Sequence, residues 1–598
     1  MPNVPRSFYR IKRLLLPNPS APTSAFVTYI CPVCCEATTS LHHCSNKHCT
    51  EHKRFHAPPL YYLRMPILQQ LREIIDHAPP LNFEQQQEKL TSDIDLINDI
   101  YDAEAYQHII KKEAGKNFLT LIMNVDGIQV AKNSNLSLWI FTFIINEIKR
   151  SERFKLKNII IGGIVSAVSK PDRQQMQAFL SPIVRELLVL EQGETFEVKC
   201  LNENSHLHLK TFLIASCCDK PAQSLVQGIS EPIGAFGCGR CELQGETVAV
   251  KKNSRKKIRV FPLIPDHQEQ PRLRTNKTYD IFMKVYAQER LLNHVELRDR
   301  LRGHISPCVL RDLTYFDVGT SFLSDSLHNV YHGVMKRLFR LWFNKKYRKQ
   351  PWSICSKLNV VDRYLSSINY PSTTVRIPRS LSKYEQYKAN ELRSVLLFGF
   401  PALCFVLPLR YARHFLLLVV GMHIAESRCI HRTQLEDIRL LFHRFLKLFP
   451  MLYTPRFNSQ SVHSLHHIAA SVTEYNTTMT DNKWPPPSPL AIDGLNKFLS
   501  IFDHSFIHSA IWTFTQLNIA DELATVESSS AKEICERTGW KDVDRLHRLL
   551  NAAIVAGLVE ATETSRFKLT STGRLLTTDH PSKARSFVVE SKSITCTF

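Results

Sequence analysis

No apolar run in the sequence is long enough to cross a bilayer. The most apolar region, "SVLLFGFPALCFVLPLRYARHFLLLVVGMHIAE", is broken by Pro401, Pro408, Arg410 and Arg413, short of the roughly 20 uninterrupted residues a membrane helix needs. Buried core helices are expected there instead. The opening stretch "MPNVPRSFYRIKRLLLPNPS" also lacks the apolar core of a signal peptide. The 16 cysteines are therefore expected to stay reduced, and close C-x-x-C spacing then reads as metal binding before crosslinking. Acid is scarce as well: 55 Asp+Glu against 76 Lys+Arg leave a formal charge of +21. That excess implies an anionic partner, of which nucleic acid is the commonest soluble kind, although basicity alone does not separate DNA from RNA or an acidic membrane surface. With 44% hydrophobic and 22% charged residues the composition is globular, and 598 residues suggest about three or four folding units.

Several regions differ in character. Residues 26–60 hold a compact Cys/His cluster, 61–117 read as a helical connector with an acidic stretch, and from 118 strands alternate with helices. "FLTLIMNVDGIQV", "KNIIIGGIVSA" and "LHLKTFLIASC" have strand character. Met176, Phe179, Leu180, Ile183, Val184, Leu187 and Leu188 recur at helical spacing. Residues 246–476 are mostly helical. Four prolines between 485 and 489 mark a linker over 477–493. From 494 a helix, a short helix, a longer helix and a hairpin follow in the order of a winged helix.

Three constellations carry chemistry. In "CPVCCEATTSLHHCSNKHCTEH", Cys31, Cys34, Cys44 and Cys49 are spaced C-x2-C-x9-C-x4-C, two thiolate pairs able to close tetrahedrally on structural Zn²⁺. His42, His43, His48 and His52 are substitute ligands. Asp126 is expected to end a strand, with Gly127 turning the backbone away, and Asp219 to end another. If those strands are neighbours, the two carboxylates converge and can hold Mg²⁺ for phosphoryl transfer; on spacing alone a turn or cap acid is the competing reading. Cys238 and Cys241 form a half-site; His463 and His467, four apart and so on one helical face, are candidate distant partners, but spacing does not pair them with the cysteines.

Taken in order, "NVDGIQV", "SLWIFTFIINEI", "FLSPIVRELLVLEQG", "CCDKPAQSLVQGI", "GAFGCGRC", "SDSLHNVYHGVMKRLF" and "VHSLHHIAASV" resemble CACTA-type transposases over residues 26–476. The resemblance implies an RNase H-like core (118–245) with a D-D-E triad that cuts and joins DNA with a divalent metal. Asp126 matches the first acid and Asp219 the second. Cys238, Cys241, His463 and His467 match the zinc ligands of an inserted helical domain (246–476). Asp325 and His328 fall in the family's D-x-x-H element, whose role stays open between structural and metal-proximal. The third acid departs from the pattern: Glu474 precedes its place, and residues 477–492 hold no glutamate. Glu391 is the tempting substitute, but its position at the edge of an apolar helical face marks a solvated or structural acid. Efficient strand transfer is not expected.

Basic segments fit DNA without requiring it. "KKNSRKKIR" (251–259) reads as a nuclear import signal or a phosphate-contacting loop. "KRLFRLWFNKKYRK" (336–349) interleaves aromatics and cations, and also reads as an amphipathic helix with a buried aromatic face.

Residues 494–591 resemble something unrelated, the N-terminal dimerisation domain of small-molecule O-methyltransferases, which implies a homodimer. The glycine-rich loop that would cradle S-adenosylmethionine does not follow, and "IIIGGIVSAV" lacks the spaced glycines, so no S-adenosylmethionine site is expected. The third helix, "DVDRLHRLLNAAIVAGLV", has few cations and suits an interface better than a DNA groove. The fold expected is multidomain α/β plus α: a zinc knuckle, an RNase H-like core with a helical zinc-containing insertion, and a C-terminal winged helix. The function expected is a nuclear, dimerising, transposon-derived DNA-binding protein with an incomplete catalytic site. The alternative is an O-methyltransferase-related protein without its catalytic domain.

Overall fold

The structure is a computed structural model. It describes residues 26–57, 59–77, 81, 83, 95–114, 116–129, 137–167, 170–199, 204–250, 255–288, 300–371, 374, 376–427, 429–473, 511, 513–540, 542–562, 566–582 and 584–585. The chain divides into two compact units, Met1–Pro486 and Pro487–Phe598.

The first unit is mixed α/β, built on a large curled sheet. Its strands are β1 (Phe26–Ile30), β2 (Ala37–Thr38), β3 (Leu60–Arg64), β5 (Phe118–Gln129), β6 (Ser137–Ile145), β7 (Ile159–Ala167), β8 (Glu194–Lys199) and β9 (Asn204–Ser216), in the order β2-β1-β3-β7-β6-β5-β9-β8. A separate short pair joins β4 (Leu96–Ile97) to β12 (Ile430–His431). β5, β6 and β7 form an antiparallel meander, while β9 lies parallel to β5. Alternation along β5 decides the two faces. Leu119, Leu121, Met123 and Val125 face the main core, whereas Phe118 packs with Tyr101, Tyr106, Ile109, Phe212 and Ile214 on the other side.

The helix Arg173–Leu190 covers the main core. Asp172 caps it by accepting from the Gln175 amide at 2.8 Å, and the Gln175 side chain reaches back in a capping box. Met176, Phe179, Leu180, Ile183, Val184 and Leu187 are buried against the sheet, as their spacing predicts, while Leu188 is among the partly buried residues at its margin.

Two local expectations differ from the structure. β5 does not end at Asp126: the strand runs on to Gln129, with Asp126 opposite Ile140 and Gly127 opposite Trp139. Gly127 makes no turn there. A Cβ on it would lie 2.9 Å from the Trp139 ring, so glycine is needed for a close approach. The sheet also continues across the boundary expected at residue 60, because β3 pairs with β1 on one side and β7 on the other. The N-terminal cluster is thus borne on strands of the main sheet. A short hairpin of β10 (Glu246–Ala249) and β11 (Lys257–Val260) follows; of the basic run 251–259, residues 251–254 lie outside the described residues.

Beyond residue 326 the described part of the unit is helical apart from the short strand β12. A π-helical segment, Leu327–Met335, leads directly into the helix Lys336–Phe343. The longer helices Leu409–Ala425 and Gln434–Tyr453 pack together, with His414 stacked on Phe445 and Gly421 against the Phe442 ring, all buried. The apolar region around 394–426 therefore forms core helices, and among the described residues no helix is long and apolar enough to cross a membrane. Phe339, Trp342 and Phe343 are buried too, which decides the aromatic–cation interleaving there in favour of an amphipathic helix.

In the second unit, helices Ile519–Ala524, Ala531–Thr538 and Val543–Val555 precede a hairpin of β13 (Val559–Ala561) and β14 (Phe567–Leu569). Its own core contains Phe514, Ile519, Leu523, Ile534, Leu546, Leu550, Phe567 and Leu569. Ser530 caps the second helix in a box with Glu533, and Gly539 ends it in the left-handed conformation (φ 75°). Glu533 also receives Arg566 at 2.7 Å, fastening that helix to the hairpin.

Candidate metal centres and acidic edge

Two groups of side chains are arranged to hold a metal, and both could bind zinc. In the first, the ligand atoms of Cys31, Cys34, Cys44 and Cys49 lie within 4.8 Å of one another. Cys31 and Cys49 Sγ are 3.8 Å apart, Cys34 and Cys44 Sγ 3.4 Å. Cys31 directly follows β1, and the loop from 40 to 56 folds back so that amides meet sulfur: Asn46 N–H donates to Cys44 Sγ (3.4 Å) and Glu51 N–H to Cys49 Sγ (3.5 Å). Such donors favour the thiolate form that metal binding requires. The nearby histidines are used otherwise or are exposed: His43 Nδ1 meets Ser40 Oγ, His52 Nδ1 meets the Cys44 carbonyl, and neither His42 nor His48 belongs to the group.

The second group is Cys238, Cys241, His463 and His467, again within 4.8 Å and all buried. Cys238 Sγ lies 3.4 Å from His467 Nε2, Cys241 Sγ 3.3 Å from His463 Nε2, and the two Nε2 atoms are 3.2 Å apart. The cysteines sit in the loop beyond the helix Lys220–Val226. The histidines leave the short helix Gln460–His463 and the turn Ser464–His467. Arg274, fully buried, holds the cysteine loop by donating from Nε to the Cys238 carbonyl at 2.9 Å. Phe261 stacks on His463. Burial raises the cost of a Cys238 thiolate, but its hydrogen bond with Cys241 and the two histidines outweigh this and pull it well below the usual thiol range. Burial also lowers His467 to about 4, so its imidazole is neutral near pH 7, the form that ligates metal. Its Nδ1 is buried without a protein partner. Soft sulfur and imidazole donors in a fourfold set suit Zn²⁺ rather than Mg²⁺.

The acidic residues form an edge rather than a closed site. Asp126 is exposed on β5. Asp219 follows β9 and caps the helix Lys220–Val226, its Oδ1 accepting from the Ala222 amide at 2.7 Å. The segment after β9 is tied to β5 through Cys217 N–H to the Met123 carbonyl (2.8 Å) and Asn124 Nδ2 to the Cys217 carbonyl (2.5 Å). Residues 321–323 run beside Ser216, with Ser216 N–H donating to Ser321 O and Leu323 N–H to Ser216 O, both at 2.9 Å. That pairing brings Asp325 and His328 to the same edge.

Burial raises the Asp219 carboxyl above the ordinary range; Asp126 and Asp325 push the same way, against the Ala222 amide and His328. The hydrogen bond from His328 Nδ1 to Asp325 Oδ2 (2.5 Å) raises the imidazole, and Asp219 and Asp126 add to it. Among the described residues these carboxylates do not close to within 4.8 Å as a group of three. Two acids fit Mg²⁺ incompletely, leaving most of its usual six oxygen positions to water or substrate.

Glu391 supplies no third acid here, and Glu474 lies outside the described residues. Glu391 is fully buried, 0% exposed, and pairs with Arg379 through two bonds of 2.7 and 2.8 Å; it is structural, not solvated. Sequence reasoning passed over Arg274 and also Lys220, whose ammonium is pulled down to about 8 by burial. It also missed a run of basic side chains spaced by four, His328, His332, Lys336 and Arg340, readable in "HNVYHGVMKRLFR".

Comparison with known proteins gives two matches. A family described as a protein of unknown function (DUF1258) matches residues 23–268. The O-methyltransferase dimerisation domain matches residues 499–579, so the C-terminal unit carries a dimerisation domain. No curated protein matches the chain.

Proposed function

We propose that the protein is a transposon-derived, nuclear DNA-binding factor that self-associates through its C-terminal unit and has lost strand-transfer chemistry. The observation that carries this reading is the gathering of Asp126, Asp219, Asp325 and His328 at one end of the parallel β5/β9 pair. Beside it in sequence, the loop after Asp219 supplies the cysteines of the Cys2His2 group. An antiparallel meander, a covering helix and a strand parallel to the first are consistent with an RNase H-like core, and the Cys2His2 set is consistent with the zinc-containing insertion of CACTA-type transposases. The dimerisation match at 499–579 supports self-association, and the helix–helix–helix–hairpin order is that of a winged helix.

Residues 31, 34, 44 and 49 and residues 238, 241, 463 and 467 would hold structural zinc. The ion would supply no reaction chemistry; it would join the chain segments that carry these thiols and imidazoles. Asp126 and Asp219 would attract a single Mg²⁺ weakly. Binding of labelled duplex DNA by the full chain, with nicking followed in the presence of Mg²⁺, tests the reading. Binding without cleavage is expected. Cleavage by the wild type that Asp126→Ala abolishes would overturn the loss of chemistry, and absence of DNA binding would overturn the whole proposal.

The dimerisation match also favours a second reading, an O-methyltransferase-related protein whose N-terminal part is incidental. Full-length transcripts reading through the codons for residues 476–494 support the fusion; transcripts that never cross them support the second reading.

A further inference from the structure

A line of basic side chains starts at the acidic edge and runs away from it along one helical face. His328, His332 and Arg340 are exposed and Lys336 is half-exposed, each four residues after the last, across the π-helical segment and the helix that continues it. Residues at this spacing share a face, and π-helical turns recur at functional sites. Exposed Lys388 joins the line from the start of a neighbouring helix, Ala389–Ser394.

Lys336 Nζ donates to a neutral His332 Nε2 at 3.1 Å, so the charges along the face near pH 7 are chiefly those of Lys336, Arg340 and Lys388. Burial holds His332 below the ordinary imidazole range, and Lys336, His328, Arg340 and Lys388 all push it further down. Burial, Arg340 and Lys388 likewise lower Lys336, against Glu385. Among the described residues, carboxylates bond only to the two ends of the line, Asp325 to His328 and Glu385 to Arg340 at 2.9 Å. Like charges at this spacing destabilise a helix unless an anion relieves them. The opposite face is locked, because Leu338, Phe339, Leu341, Trp342 and Phe343 are buried. Those aromatics cannot stack on bases, so this face offers charge without base readout.

We propose that this face is a track for the phosphate backbone of DNA, leading to the Asp126/Asp219 edge. The inference rests on the DNA-binding reading above and deepens it by placing the backbone. Contact through cations alone makes binding here insensitive to sequence and sensitive to salt.

The test compares two full-length triple variants by fluorescence anisotropy on a labelled duplex over a salt series. One carries His332→Gln, Lys336→Gln and Lys388→Gln. The control carries Lys111→Gln, Lys112→Gln and Lys116→Gln, exposed lysines preceding the other end of β5, and loses at least as much charge. The track variant should bind about tenfold more weakly, with a salt slope reduced by about 2; the control should stay within about twofold of the wild type. Thermal melting and zinc content verify folding, and if the triple fails to fold, Lys336→Gln and Lys388→Gln alone should each lower the slope by about 1. Equal losses in both triples, no loss in the track variant, or equal dependence on these residues for RNA or heparin would each overturn the track. Wild type that binds no DNA would instead defeat the DNA-binding reading on which it stands.

Discussion

The two Cys/His clusters hold the chain in opposite ways. Cys31, Cys34, Cys44 and Cys49 come from one short stretch, and two of the four are only partly buried. In the other cluster, Cys241 and His463 are 222 residues apart, Cys238 and His467 are 229 apart, and all four are buried. A metal in the first closes a local loop. A metal in the second would fasten the helical region's last turns to the loop beyond β9, and closing a longer loop removes more freedom from the unfolded chain. The difference teaches that similar ligand sets can be a local clip or a long-range bolt, according to where the fold places them.

The largest effect is expected from breaking the bolt. Cys241→Ser should leave one zinc per chain and cost on the order of 5 kcal/mol or more, seen as a large drop in the melting midpoint with lost protease resistance across 234–473. If melting hardly changes, the contrast between the clusters is wrong. Next comes the helical region's own pairing. Glu391→Ala, which removes a buried partner of Arg379, should destabilise by roughly 2–3 kcal/mol in denaturant unfolding while both zincs remain bound; loss of zinc from the second cluster would show that bolt and helices are not separable.

His414 provides a pH probe of comparable size. It is buried beside Phe445, and its Nε2 donates to the Phe445 carbonyl at 3.0 Å. Burial lowers its pKa to about 4, despite that hydrogen bond. The folded state therefore prefers the neutral ring. Its stabilisation is complete above the unfolded value near 6.5 and is lost as pH falls through about 4, a span of at most about 3 kcal/mol. As pH falls through that window, the unfolding midpoint of wild type should drop relative to that of His414→Leu, since acid release of zinc affects both proteins alike. A constant gap between them would remove His414 as a source of acid lability. The smallest global effect should come from Cys49→Ser. It should release the first zinc and raise hydrogen exchange over residues 40–56, with a stability change of about 1–2 kcal/mol; a loss as large as that of Cys241→Ser would erase the comparison.

Much of this was legible in the chain. The spacing of Met176, Phe179, Leu180, Ile183, Val184 and Leu187 found the covering helix because a helix repeats its buried face every 3.6 residues. C-x2-C-x9-C-x4-C found the first cluster because its ligands are close in sequence. The second cluster came from a resemblance in motif order, not from spacing, since nothing local links Cys238 to His467. Asp126 and Gly127 were misread locally because a glycine's role depends on its neighbour: Trp139, on the adjacent strand, needs the space, and the strand continues. The cation face from His328 to Arg340 was present in the letters but crossed two motifs read for other purposes.

Sequence alone determined the positive charge, the lack of a membrane-length apolar helix, the four-cysteine cluster and the break in character near the prolines at 485–489, because each follows from composition or from residues within a few tens of positions. The tertiary structure decided which distant side chains meet. It joined β1 and β3 to the main sheet, set Asp325 and His328 beside Asp219, buried Glu391 against Arg379, and brought His463 and His467 to Cys241 and Cys238. These are contacts between segments up to 229 residues apart, fixed by strand pairing and core packing, which no local pattern of residue types encodes.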